Sequence, residues 1–246
     1  MTKKSKGLII ALIVLLSLIA VLLVAIMSFM ITGHFKTIGS LTANLKSSVY
    51  FDESYDAADI TDILIDSDAG NITIKDSDDG KIRVVANGNN QDLFNAGVKD
   101  GRLTVESKAR PGVSTVRNHS GADLDIYIPQ NIINKLTIES AFGNVDILST
   151  IDGELKVKCD FGNITADCLI GCFDLHSDLG DVEIKRADIT SDSSATTNLG
   201  DVEIEKTNSV NISARTSLGD CKVNNSNSQS PITLKAESNL GDVEVN

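Results

Sequence analysis

The sequence predicts an all-β fold: a β-solenoid of single-stranded, β-helix-like coils of about 19–20 residues each, preceded by one transmembrane helix. Three observations lead to this prediction. A short phrase recurs around glycine, apolar residues alternate with polar ones on both sides of that glycine, and a long uncharged run lies near the N-terminus. A repeat of this length is typical of solenoids, in which each coil stacks on its neighbour.

The repeated phrase is clearest around Gly180, where residues 177–184 read Ser-Asp-Leu-Gly-Asp-Val-Glu-Ile. Glycine tolerates positive φ and the Asn or Asp that follows it suits a turn, so each phrase is predicted to be strand, bend, strand. Successive glycines from the first full copy onward are 19, 18, 20, 19 and 22 residues apart. They are Gly143, Gly162, Gly180, Gly200, Gly219 and Gly241, with a softer copy at Gly70.

Positions counted from each glycine predict which side chains face the core. Apolar residues occupy −7, −5, −1, +2 and +4, and strict alternation indicates strands with one buried face. Position −3 holds Ser, Thr or Cys, which we interpret as a structural ladder of small polar side chains rather than as catalytic serines. The residues at −1, predicted to point inward, are Ala69, Phe142, Phe161, Leu179, Leu199, Leu218 and Leu240.

Four segments make up the predicted domain organisation. Residues 1–6, with three lysines, form a cytoplasmic N-terminus, and 7–31, which carry no charge, form a transmembrane anchor. About 20 apolar residues suffice to cross a bilayer, and lysines before the span keep that end in the cytoplasm. Residues 32–58 are predicted to be a juxtamembrane linker and 59–246 an extracytoplasmic β-solenoid. The predicted localisation is therefore the cell membrane, as a single-pass protein.

The first half of the repeat domain has a looser pattern. Gly70 and Gly143 are 73 positions apart, which leaves room for three or four coils. Strands are predicted at 63–65, 72–74, 81–85, 102–105 and 123–129, and residues 110–120 are predicted to form an exposed loop.

Charge and composition exclude several classes of partner. The formal net charge is −12, and without the three N-terminal lysines residues 7–246 carry −12 − 3 = −15. Such a domain should bind neither nucleic acid nor anionic lipid. With no Trp and 4% aromatic residues, it also lacks the stacking platforms of most carbohydrate and single-strand binders.

The anchor, the looser first half ending at Ile128-Pro129, and the repeated Leu-Gly-Asp-Val-Glu-Ile phrases resemble the putative-adhesin family of β-strand-repeat domains, which includes LiaG-like membrane-anchored envelope proteins of Gram-positive bacteria. The resemblance covers roughly residues 60–246. It implies a β-solenoid in the cell envelope and carries over no catalytic residue.

Aspartates that follow successive glycines form the most prominent acidic pattern. They should stack in register, which allows two interpretations: a solvated face with Asx turns, or a face that binds a divalent cation such as calcium. No catalytic or cofactor-binding residue is predicted. The aspartates are Asp181, Asp201, Asp220 and Asp242.

The cysteines and histidines show no zinc or catalytic pattern. Cys221 occupies an inward position and is predicted to be buried, and Cys159 replaces a serine at −3. Cys168 and Cys172 lie between coils, as free thiols or as a local disulfide. The histidines, predicted to be surface residues without a Ser, Cys or Asp partner, are His34, His119 and His176.

The sequence favours a non-enzymatic function: an envelope scaffold, an adhesin-like surface or an accessory of stress signalling. The alternative is a polysaccharide-acting enzyme on a β-helix scaffold, against which the lack of Arg, Lys or His among the carboxylates argues. An envelope protein or a second copy is the predicted partner of the C-terminal coil. That coil is predicted to be the uncovered end of the stack, with Leu240, Val243 and Val245 half exposed.

Overall fold

The computed structural model describes residues 49–88, 93–108, 121–130 and 132–246. These residues form β-strands and one short 3₁₀ helix, Ala57–Asp59. The predicted N-terminus 1–6 and anchor 7–31 lie outside this part of the chain. No helix within it has the length and apolar character needed to span a membrane.

Eighteen strands are present in the described residues, and most are short because each coil bends at its glycine. They are β1 (Val49–Asp56), β2 (Asp62–Ser67), β3 (Ile72–Asp76), β4 (Lys81–Asn87), β5 (Phe94–Lys99), β6 (Arg102–Ser107), β7 (Asp123–Ile128), β8 (Lys135–Phe142), β9 (Val145–Phe161), β10 (Ile164–Leu179), β11 (Val182–Ile184), β12 (Ala187–Ile189), β13 (Ser193–Leu199), β14 (Val202–Ile204), β15 (Asn211–Leu218), β16 (Cys221–Val223), β17 (Thr233–Leu240) and β18 (Val243–Val245).

Parallel, in-register pairing of equivalent strands builds the solenoid. One ladder contains the strands that precede the glycines, for example β8 with the end of β9, and the end of β10 with β13. A second ladder contains the strands that follow them, such as β11 with β14 and β14 with β18. A third, short side joins residues 150–153, 168–171 and β12. The predicted all-β, solenoid-like fold is confirmed.

The order of the coils in space differs from their order in the sequence. β17 lies between β13 and β15, and β18 lies between β14 and β16, so the coil of residues 233–245 is inserted before the coil of residues 211–223. The same exchange occurs near the other end of the stack, where β2 lies between β6 and β8. The stack is therefore not built by simple succession along the chain.

This exchange corrects the prediction for the C-terminal coil. Val243 and Val245 are buried, with 1% and 0% exposure, because β16 covers β18. The end of the stack is instead the coil formed by β15 and β16. Cys221, predicted to be buried, is exposed there because its coil pairs on one edge only within the described residues.

The first half of the domain contains fewer coils than its length allows. Between Gly70 and Gly143, β6 and β7 form one parallel coil, while β4 and β5 are antiparallel to their neighbours. Residues 49–56, predicted to belong to the linker, form β1 and pair with β4. The alternation in β1 is irregular, which hid the strand in the sequence. The predicted loop at 110–120 lies outside the described residues.

Small and medium aliphatic side chains fill the interior as predicted, at positions −7, −5, +2 and +4 of the inner coils. Most of the hydroxyls at −3 are also buried, but they do not bond to one another, and Ser140 Oγ has no hydrogen-bond partner in the described residues. The Thr197 Oγ1 atom donates to the carbonyl oxygen of Gly180 at 2.8 Å, and Ser177 Oγ donates to that of Gly162 at 2.9 Å. Thr197 and Ser177 thus each satisfy the carbonyl at the bend of the adjacent coil.

The glycine at the bend is required by both its conformation and its surroundings. Gly200 has φ +146°, in a region that disfavours side chains. A Cβ atom there would overlap the carbonyl oxygen of Gly180 in the next coil. The recurring glycine therefore allows neighbouring coils to approach at strand spacing.

All four cysteines are free thiols. Cys168 and Cys172 are not joined by a disulfide, so the interpretation as free thiols is the one that the structure supports. Burial raises the pKa of the Cys159 thiol to about 11, and its Sγ lies 3.4 Å from the carbonyl oxygen of Gly143. Cys159 thus takes the structural place of a serine at −3.

Candidate interaction surface

A row of exposed apolar side chains runs along one corner of the solenoid. Its members are the residues at position −1, which the alternation predicted to be buried. The prediction was wrong, since six of them are 39–69% exposed and only Ala69 is buried. We call this row the apolar ridge; in spatial order it contains Phe142, Phe161, Leu179, Leu199, Leu240 and Leu218.

The apolar ridge is continuous because its members are in register. Leu179 pairs with Phe161 on one side and with Leu199 on the other. The rings of Phe142 and Phe161 are stacked, with centroids 4.8 Å apart and planes 6° from parallel. Neighbouring strands are about 4.8 Å apart, so six side chains extend over about 24 Å.

The reversal at −1 has a local cause. The small side chain at −3 occupies the inner corner and bonds to the adjacent glycine carbonyl, as Thr197 does. After this residue the alternation stops, and both remaining residues before the glycine, Asn198 and Leu199, are exposed. The bend therefore turns the last apolar side chain outward.

A ladder of side-chain to backbone hydrogen bonds follows the apolar ridge at position +1. The Oδ1 atom of Asp181 accepts the backbone N–H of Asp201 at 2.9 Å. In the same way, Asp201 Oδ1 accepts the backbone N–H of Asp242, and Asp242 Oδ1 accepts that of Asp220, each at 2.7 Å. We call this row the Asx ladder; in spatial order it is Asp123, which lies two residues after Gly121, and then Asn71, Asn144, Asn163, Asp181, Asp201, Asp242 and Asp220.

The Asx ladder gives the four predicted acidic residues, Asp181, Asp201, Asp220 and Asp242, a structural position. They stack in register but do not converge, and no group of three or more metal-ligating side chains occurs in the described part of the chain. Calcium binding at this face stays a prediction. Among the described residues, these four carboxylates make no ion pair with lysine or arginine.

The other flank of the apolar ridge, at position −2, is also polar. Asn198 Nδ2 donates to Asp178 Oδ1 at 2.7 Å, and Asn239 Nδ2 donates to Asn198 Oδ1 at 2.9 Å. Asp160 continues this row and pairs with Lys158 at 3.0 Å. The apolar ridge thus lies between two rows made mainly of carboxylates and amides.

His176 has partners that the sequence did not reveal. Its Nδ1 atom lies 2.8 Å from Thr196 Oγ1, and its Nε2 atom lies 3.1 Å from Asp178 Oδ1. The order hydroxyl, imidazole, carboxylate is that of a catalytic triad. The Thr196 hydroxyl, however, donates a hydrogen bond to the carbonyl oxygen of Leu175 at 3.3 Å. Its proton then points away from the imidazole, so His176 does not activate this hydroxyl as a nucleophile. The group is best explained as a hydrogen-bonded link between neighbouring coils.

Fold and surface together define a β-solenoid of stacked coils with one exposed apolar corner. Solved structures similar to this chain include a putative cell adhesion protein from Clostridium sporogenes, with 15% sequence identity and a TM-score of 0.47. The alignment covers 80% of this chain and 99% of that chain. A putative adhesin from Bacteroides fragilis has 18% identity and a TM-score of 0.44, with 80% and 96% covered. No curated protein matches the chain.

The chain belongs to the Toastrack DUF4097 family, whose model matches residues 60–246. The family resemblance drawn from the glycine-centred repeats is thereby confirmed.

Proposed function

We propose that this protein is a non-enzymatic scaffold of the cell envelope that binds a partner protein along the apolar ridge. One observation carries the proposal: six apolar side chains are exposed in register, side by side, along one corner of the solenoid. Contiguous apolar patches of this kind mark interaction sites, since a soluble surface otherwise scatters such residues singly. An adhesin-like surface or an accessory of stress signalling would both use such a corner.

The location that we propose rests on the sequence. The uncharged run 7–31 is long enough to span a bilayer, and Lys3, Lys4 and Lys6 favour a cytoplasmic N-terminus. The solenoid would then lie outside the cell, anchored to the membrane. A reporter that is active only in the cytoplasm, fused after Asn246, should be silent, and a bright signal would overturn this topology.

Site-specific photo-crosslinking in intact cells tests the binding surface. A photo-crosslinking amino acid is placed at Leu199 in the full chain, or at Leu148 as the matched control. Leu148 has similar exposure, 49% against 43%, but lies outside the apolar ridge. We expect a discrete protein adduct from position 199 only. Equal adducts at both positions, or none at 199, would contradict the proposal.

The enzymatic alternative has its own assay. The purified full chain is incubated with cell-wall glycans, beside a His176→Ala variant that removes the one hydroxyl–imidazole–carboxylate group in the described residues. We expect no depolymerisation by either chain. Depolymerisation that the variant loses would replace the scaffold with an enzyme.

A further inference from the structure

We infer that the apolar ridge takes one kind of occupant: a cationic amphipathic helix of a partner protein, with apolar side chains along one stripe and Lys or Arg on both sides of it. The inference rests on the proposed function and names the chemistry of the partner. It follows from the length of the apolar ridge and from the charges that flank it.

The length of the apolar ridge fits a helical stripe. At a rise of 1.5 Å per residue, about 16 helical residues cover the same 24 Å. An amphipathic helix presents an apolar stripe of that length as a row of side chains at i, i+3, i+4 and i+7, which can pack on both slopes of a ridge. Binding of a helix through such an apolar stripe is a common mode of peptide recognition.

The flanking charges set the sign of the partner. On one side, Asp181, Asp201, Asp242 and Asp220 are spaced at strand distance and make no ion pair with lysine or arginine in the described residues. Like charges about 4.8 Å apart repel one another, and a cationic neighbour relieves that repulsion. On the other side, the row contains Asp178, Asp160, which pairs with Lys158, and amides.

The same charges disfavour two other occupants. A second copy would bring an identical row of carboxylates against the first, in a chain that already carries a formal net charge of −12. An anionic bilayer would be repelled for the same reason. A partner with basic residues beside its apolar stripe gains from both the apolar contact and the charge.

Peptide binding to the full chain, reconstituted in phosphatidylcholine nanodiscs, tests this inference. The probes are two fluorescent helical peptides of about 18 residues, long enough to cover the apolar ridge. They share a leucine stripe and differ only in carrying Lys or Glu at the positions beside it. Fluorescence anisotropy measures binding. We expect the Lys peptide to bind at least about tenfold more tightly than the Glu peptide. Its affinity should fall when NaCl rises from about 0.1 M to about 1 M, which shortens the Debye length from about 10 Å to about 3 Å.

Substitutions assign the binding to the apolar ridge and its flank. Leu179→Lys with Leu199→Lys should weaken the Lys peptide about tenfold or more, and Leu148→Lys should leave it unchanged. Asp181→Asn with Asp201→Asn should reduce affinity and flatten the salt dependence while keeping the Asx ladder, because asparagine occupies the same position at Asn144 and Asn163.

Several results would overturn the inference. They are equal binding of the two peptides, dimerisation of the full chain that Leu199→Lys abolishes, and binding to phosphatidylglycerol vesicles through the apolar ridge. If Leu199 crosslinks a protein in cells while the Lys peptide does not bind, the proposed function stands and the cationic partner is wrong. If neither occurs, both are wrong.

Discussion

Asp181 and Asp201 occupy equivalent positions in adjacent coils, and the Oδ1 atom of Asp181 accepts the backbone N–H of Asp201 at 2.9 Å. Asp201 repeats the contact with Asp242 at 2.7 Å. The acceptor oxygen, rather than the charge, is what this hydrogen bond needs, since Asn144 and Asn163 serve equally well in the same row. A carboxylate and an amide should therefore be interchangeable here for stability.

We expect Asp201→Ala to lower the free energy of unfolding by about 1 kcal/mol, because the N–H of Asp242 loses its acceptor. Asp201→Asn keeps the acceptor and removes one of four unpaired charges, so it should leave stability unchanged or raise it slightly. Urea denaturation of the full chain measures both. An asparagine variant as unstable as the alanine variant would contradict the role of the Asx ladder.

The glycine at the bend should not tolerate a methyl group. Gly200→Ala forces a Cβ into the carbonyl of Gly180 and a side chain into positive φ, so we expect a loss of about 3 kcal/mol or more. Gly97→Ala is the matched control, since nothing lies within 4 Å of a Cβ at that site. Thermal unfolding should separate the two, with Gly97→Ala within about 0.5 kcal/mol of the parent.

Cysteine reactivity should report the order of the coils. Of two chains with a single cysteine, the one that retains Cys221 should react quickly with maleimide, because Cys221 is exposed at the end of the stack. The chain that retains Cys159 should react only after denaturation, since burial raises the pKa of that thiol to about 11 and keeps it protonated at pH 8. A protected Cys221 would indicate that the coils stack in sequence order.

A charge placed at position +2 gives an independent test of the same order. Val243 is buried beneath β16, so Val243→Lys should cost about 3 kcal/mol or more. Cys221→Lys places the same charge at the equivalent position of the exposed coil and should cost less than about 1 kcal/mol. Chemical denaturation of both variants makes the comparison. Equal losses would mean that both coils are internal.

Much of the fold could be predicted from the sequence because it is encoded locally. Alternation on each side of Gly180 correctly placed Phe173, Leu175, Val182 and Ile184 in the core. The glycine spacing correctly indicated stacked coils. Both signals depend only on residues close together in the chain, and the phrase repeats often enough to average out exceptions.

The order of the coils could not be predicted in this way. Coils centred on Gly200, Gly219 and Gly241 present almost the same inward residues, so the repeats alone allow any of them to stack on any other. Two weaker signals favour the observed exchange. The polar segment 224–231 is long enough to cross over, and Cys221 stands in the end coil where both neighbouring coils carry valine.

The apolar ridge was missed because the alternation was extended one position too far. A signal was nevertheless present in the sequence. In the later coils the inward residue at position −5 is alanine, at Ala195 and Ala236, while the residue at position −1 is still leucine, at Leu199 and Leu240. An interior lined by alanine at this position has little room for another leucine in each coil. The leucine at −1 is therefore expected to point outward.

The insertion of residues 233–245 between two earlier coils also determines when the fold can be completed. During synthesis the segment 211–223 leaves the ribosome first, yet in the described residues its strands pair only with β17 and β18. It therefore reaches its native pairing only after the later segment has emerged and docked against β13 and β14. A polypeptide truncated before Thr233 would lack the native partners of segment 211–223, and incompletely folded chains are the substrates of quality-control proteases. The exchange of two coils thus makes completion of this end of the stack depend on residues 233–245.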